Sequence, residues 1–143
     1  LINLKKFNSK KLFDENFFLY FEEFDLCKRE GLSGGSIFSS SKLIIHHLGF
    51  KGSIGANQEM EQDANKLREW HWMWSTFYFY KKNYSYFFAF KKTIGKLIRA
   101  LFKLLYFTII FNVKSKNKYK ARFSGLFNSM CGKKSWYRVN KNF

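Results

Sequence analysis

Five carboxylates crowd into twelve residues of this chain: Asp14, Glu15, Glu22, Glu23 and Asp25. Large aromatics, among them Phe13, Phe17, Phe18, Tyr20, Phe21 and Phe24, stand between them. Rings next to a carboxylate strip water from it. That raises its pKa and makes it a better base near neutrality. The cluster is therefore a candidate source of a general base. The same residues also describe a helix N-terminus decorated with acids over a Phe-rich core, where the helix dipole favours negative charge. A second group is His46-His47, just before Gly49. A histidine at a strand end beside a glycine loop can bind a diphosphate or complete a metal shell. The alternative is that one ring packs and the other faces solvent. Neighbouring strand residues point to opposite sides, so one of the two faces a site; His47, nearer Gly49, is preferred. His71 sits among Trp70, Trp72 and Trp74 and reads as structural. Cys27 and Cys131 form no C-x-x-C pair, which argues against a zinc site or a disulfide framework and fits a reducing cytoplasm.

The elements that would position these residues follow from spacing. Residues 1–7 read as the end of a strand or a strand-to-helix turn, and 42–48 as a short strand. The segment from Phe13 begins extended and turns helical near Glu22, with Gly31 as a stop. Three glycines mark residues 49–56 as a loop. A long helix starts near Asn57, which can cap it, and runs to about Lys82. A second helix covers 86–111. From Asn112 the chain is a basic tail with Lys114, Lys116, Lys118, Lys120 and Arg122 at alternate positions.

Charge divides the chain in two. Residues 1–69 hold ten Lys/Arg and all ten acids, whereas residues 70–143 hold sixteen Lys/Arg and no acid, so the net charge of +16 belongs to the second half. Such asymmetry points to an anionic surface, either lipid or nucleic acid. Lys92, Lys96, Arg99 and Lys103 recur at helical spacing and form one cationic stripe. The uncharged run from Leu104 to Phe111 is too short to span a bilayer. An in-plane interfacial helix fits this pattern, and so does an amphipathic helix packed on the domain core. A nucleic-acid-binding module and a noncatalytic peripheral membrane protein are further readings of the basic aromatic half. No RNP-like motif or zinc knuckle is present, however, and no nucleic-acid partner is expected.

The order of residues carries more than their types. Phe13, Asp14, Glu15, Phe17, Phe18, Tyr20, Glu22, Asp25, Leu26 and Arg29, followed by Ile44-Ile45-His46-His47-Leu48-Gly49 and Gly52-Ser53, resemble the rhamnosyltransferase-like branch of the family-2 glycosyltransferases, whose pattern is F-D-E-x-F-F-x-Y-x-E-D-x-D-L-x-x-R. The match covers about residues 1–55, and the aromatic run from Trp70 to Lys82 is similar to the segment that follows it. The resemblance implies an α/β fold, the C-terminal portion of a Rossmann-like GT-A domain, mostly helical here with short strands. Residues 1–56 would be the acceptor side of the catalytic domain, and residues 57–143 a helical, basic, membrane-proximal region. The chain opens at Leu1 with residues that already read as apolar structure, which suggests a longer polypeptide.

The resemblance further implies inverting transfer of a sugar from a nucleotide-sugar donor to a lipid-linked or polysaccharide acceptor, at the cytoplasmic face of a bacterial inner membrane. The family's catalytic Asp falls on Glu23, a side chain longer by one C–C bond of about 1.5 Å; Glu22 or Asp25 would share the work if Glu23 does not fit. Asp14, Glu15, Arg29 and Trp72 would bind substrate, and His46 or His47 would meet the diphosphate or metal. A divalent cation, Mg²⁺ or Mn²⁺, would be held mainly by an Asp-x-Asp element on the donor half, and no such element occurs in these residues. Lys92, Lys96, Arg99 and Lys103 would face an anionic membrane.

Overall fold

The computed structural model describes residues 12–42, 44, 46 and 58–138. They form four helices: α1 Glu22–Leu32, α2 Gln58–Asn83, α3 Tyr86–Ile109 and α4 Val113–Met130. No described residue lies in a strand. The expected α/β, Rossmann-like fold class is therefore corrected to an all-helical one. Lys42, Ile44 and His46, from the expected strand at 42–48, are not in a strand, and Leu43, Ile45, His47, Leu48 and the expected strand end or strand-to-helix turn at 1–7 lie outside the described residues. A strand exists only by pairing with another, and no described segment offers it a ladder. The long aromatic runs that dominate the chain carry helical spacing instead.

Each helix has local reasons to start and stop. Glu22, Glu23 and Asp25 occupy the first turn of α1 and Arg29 its last, in accord with the dipole. The helix ends where Gly34 adopts φ 79° and the Gly35 amide donates to the Glu30 carbonyl at 2.8 Å, a glycine-assisted stop. The hydroxyl of Ser85 accepts from the Phe88 amide and caps α3. Asn112 does the same for α4 through the Ser115 amide. The basic tail expected from Asn112 onward is thus a capped helix of 18 residues.

α2, α3 and α4 form an up-down-up bundle in which α3 runs antiparallel to its neighbours and α2 and α4 run parallel. The Tyr86 hydroxyl at the start of α3 donates to the Met130 carbonyl at the end of α4. Near the other end Phe107 stacks on Tyr119, with centroids 5.6 Å apart. Met73, Phe77, Ala89 and Leu126 make the central core, with Trp70, Trp74 and Ala121 beside it. The middle of α2 is buried almost all round. Helices cover one side, residues 133–138 cover a second, and the aromatic segment before α1 covers a third. Trp74 donates its indole N–H to the Lys133 carbonyl, and Ser75 donates to the Leu19 carbonyl. Glu69 of α2 accepts from Arg122 at 2.5 Å and pairs with Lys118 at 3.3 Å, tying α2 to α4.

The α2–α4 crossing depends on the absence of one side chain. A Cβ at Gly125 would overlap the backbone carbonyl of Trp70, whereas a Cβ at Gly95, on the exposed face of α3, would meet nothing within 4 Å. Gly125→Ala should therefore destabilise the fold by about 2 kcal/mol, the cost of overpacking against backbone that cannot yield. Gly95→Ala should stabilise it by about 0.5–1 kcal/mol, the ordinary helix gain. Thermal unfolding of the two variants should move in opposite directions.

His71 is fully buried. Its Nε2 lies 2.8 Å from the Tyr137 carbonyl and its Nδ1 3.0 Å from Ser135 Oγ. A carbonyl only accepts, so Nε2 carries the proton and Nδ1 accepts from the serine. Burial pushes the His71 pKa down to about 4, helped by nearby Arg138 and opposed by the Tyr137 carbonyl. The unfolded chain takes up this proton near pH 6.5, whereas the folded chain resists it to about 4. Stability from this site is thus complete above pH 6.5 and lost as pH falls towards 4. Chemical denaturation across that window should show a falling midpoint, and His71→Gln, which keeps a donor and an acceptor, should remove this histidine's share of the slope.

Candidate functional site

The acidic segment folds around one carboxylate. Asp25 in α1 has no exposed surface. Its oxygens accept from Lys82 Nζ at 2.7 Å, Arg29 Nε at 3.0 Å and Asn83 Nδ2 at 3.1 Å. Asp14 shares the same lysine at 2.7 Å, and accepts from Tyr78 at 3.1 Å and from the Asn16 amide at 3.0 Å. Burial alone would raise both carboxyl pKa values, but the hydrogen bonds and the charge of Lys82 outweigh it. Asp14 falls to about 2, and Asp25 also lies below the usual carboxylate range. Burial beside the Asp14 carboxylate raises the Tyr78 hydroxyl to about 12. Both aspartates stay ionised and fully engaged. Neither is free to accept a substrate proton.

This sorts the residues singled out by sequence. Asp25 is an anchor, as is Arg29, which also donates to the Leu12 carbonyl at 2.6 Å. Asp14 and Glu15 line an open pocket of about 480 Å³ with Asn16, Arg29, Lys82 and Lys134. Of the candidate bases, Glu23 is exposed. Glu22 is half-buried and has one carboxylate oxygen, Oε2, that is buried without a hydrogen-bond partner. His46 is exposed, and no hydrogen bond or ion pair among the described residues joins it to the acids; His47 lies outside them. No three of His, Cys, Asp and Glu come together to hold a metal among the described residues. Asp14 and Asp25 already share Lys82, so these two are not free to ligate a divalent cation, whose main ligands the resemblance assigns to the donor half.

What presents Glu22 and Glu23 is a strained turn. Tyr20 and Phe21 both adopt φ 69°, a left-handed conformation that is costly for bulky residues and clusters at functional sites. Phe21 occupies the N-cap of α1 and supplies no side-chain cap. Ring packing holds the turn in place: Phe21 lies 5.4 Å from Trp72 and 5.3 Å from Phe79, and Tyr20 lies 5.3 Å from Trp72. Trp72 and Phe24 keep 42% and 58% of their surface exposed. Glu22 and Glu23 thus follow directly on a turn packed against a partly open aromatic wall.

Sequence reasoning placed Trp72 among the substrate-binding residues, and the structure puts it on this wall. It did not find Lys82, Asn83 or Tyr78. The one available signal was that Tyr78 and Lys82 are four apart and share a helix face. No family model, curated protein or solved structure matches this chain.

The site yields a separation of roles. Asp25→Asn weakens the ionic partner of a buried network, a change that typically costs about 3–5 kcal/mol, and should visibly lower the unfolding midpoint. Glu23→Gln should leave that midpoint unchanged within error. Calorimetry on the two variants side by side checks the division.

Proposed function

We propose that this chain supplies the acceptor side of an inverting glycosyltransferase, with Glu23 as the base and Glu22 beside it. One observation carries the reading. A strained aromatic turn leads directly into two adjacent carboxylates, neither spent on an ion pair among the described residues, and the rings packed on that turn, Trp72 and Phe24, stay partly exposed. Aromatic faces suit the apolar C–H face of a sugar ring, and carboxylates suit its hydroxyls. The order of Phe13 to Arg29, which resembles the family-2 glycosyltransferases, supports the same reading.

In this mechanism the acceptor sugar lies on Trp72. Its hydroxyl gives up a proton to the Glu23 carboxylate as the hydroxyl oxygen attacks the anomeric carbon of the donor. A C–O bond forms with inversion, and the bond to the nucleoside diphosphate breaks. Donor binding falls to an Asp-x-Asp element that is not among these residues, and no step here is routed through a metal. The Asp25–Lys82–Asp14 network holds α1 rigidly enough for a base that must reach its proton at hydrogen-bond distance.

In the full-length protein with its nucleotide-sugar donor, Glu23→Gln should lower kcat by about 10²-fold or more, the usual worth of a general base. Glu30→Gln, near the far end of α1, should change kcat little. Transfer by Glu23→Gln at the wild-type rate moves the base to Glu22. Wild-type transfer by the Glu22→Gln/Glu23→Gln double variant sinks the reading.

A further inference from the structure

α3 carries two apolar faces, and the bundle uses one of them. Ala89, Thr93 and Ala100 turn inward. On another side Phe87, Phe90, Ile98, Leu101, Leu105 and Ile109 are all exposed, at spacings that put them on one stripe along the helix. The stripe continues into the α3–α4 turn, where Phe111 is 88% and Val113 65% exposed, flanked by Phe102 at 67%. Lys92, Lys96, Arg99 and Lys103 lie roughly 150° around the helix from the stripe at about 100° per residue. They sit in a separate sector, and Lys103 is engaged by the Tyr119 hydroxyl at 3.0 Å.

Phe111 adds an independent observation. It has φ 55°, the conformation in which helices end on Gly or Asn because a Cβ is penalised. A bulky apolar residue is thus held in a strained turn with almost none of its ring against the protein. Nothing in the bundle accounts for that ring.

We propose that the outer stripe of α3 and the α3–α4 turn dock on the interface of an anionic phospholipid bilayer, with the Phe111 turn deepest. No helix of the described residues is long and apolar enough to cross a membrane, so contact is by an amphipathic surface lying in the interface. Charge selects the occupant. Residues 70–143 carry sixteen Lys/Arg and no acid, so a second copy would bring like charge to like charge, whereas anionic headgroups attract these cations within a Debye length. Lys114 stands at the turn and Lys91 beside the stripe's first residues. The cationic sector containing Lys92 and Lys96 adds long-range attraction from the far side of α3. This inference stands apart from the transferase reading and can fail without it.

The test is co-sedimentation with phosphatidylcholine vesicles made with and without phosphatidylglycerol. The wild-type protein should bind those with phosphatidylglycerol and weaken with salt. Phe111→Gly should weaken binding by about tenfold or more, the worth of one buried phenyl ring, while its unfolding temperature stays level or rises as the strain is relieved. Ile109→Ser/Phe111→Gly should abolish binding. Lys92→Gln/Lys96→Gln should reduce binding less than Phe111→Gly does. Failure of the wild type to bind vesicles overturns the proposal, as does equal binding by Phe111→Gly. Concentration-dependent self-association in sedimentation velocity, lost in Ile109→Ser/Phe111→Gly, would assign the stripe to a second copy instead and also overturn it.

Discussion

The seating of α1 on the end of α2 depends on the ion pair between Asp25 and Lys82. A carboxylate without exposed surface is costly to desolvate, and it stays ionised only because several donors replace the lost water. Here those donors come from two helices: Arg29 of α1, and Lys82 and Asn83 at the end of α2. The network therefore fixes where α1 sits on α2. Through Asp14, which takes the same lysine, it also fixes the chain of turns and bends that precedes α1, where sequence suggested an extended start. Remove the lysine and two partly buried carboxylates are left facing each other, the arrangement that most strongly opposes ionisation. Hence the acids of this segment are of two kinds, those that hold the segment down and those it presents.

The presented pair owes its position to packing that works against backbone preference. Two consecutive aromatics in the left-handed region cost of the order of 1–3 kcal/mol each. Phe21 touches Trp72, Phe79 and Phe24, and Tyr20 touches Trp72, contacts worth about 0.5–1.5 kcal/mol each beyond their burial. The strain and the ring contacts are therefore of similar size, and the anchor at Asp25 tips the balance. Glu22, the first residue after this turn, has one carboxylate oxygen buried without a hydrogen-bond partner.

The sequence made some of this legible. Both long helices could be read, α2 to within a residue at each end and α3 to within two, because their apolar residues recur at helical spacing. α4 was hidden by lysines at every second position from Lys114 to Lys120, which imitate a strand-like period. Its helical period lies in Tyr119, Phe123, Leu126, Phe127 and Met130. The strand expected at 42–48 rested on three apolar residues, a run too short for periodicity to decide. The Asp25–Lys82 pair joins residues 57 positions apart, and no local pattern encodes such a contact. Acids could be counted in the sequence, but which were spent and which were presented depended on that pairing.

The same contrast between local pattern and packing governs α3. Its cationic stripe was plain in the sequence, yet the residues that most need explaining are the apolar ones beside it. Hydrophobic spacing shows that a helix has an apolar face. It does not show whether the bundle covers that face. In α3 the inward contact is made largely by small residues, Ala89, Thr93 and Ala100, and these bring the helix close without using its large side chains. Phe87, Leu105 and Ile109 are thereby left outside, and the bundle gains little from them. The Asp25 anchor lies at the α2–α3 end, where Asn83 and Ser85 flank the turn. The Phe111 turn lies at the other end of a 24-residue helix, about 36 Å long at 1.5 Å per residue. Changes so far apart with no shared partner should add in their effects on stability, so the carboxylate turn and the apolar turn are two separable constraints on one bundle.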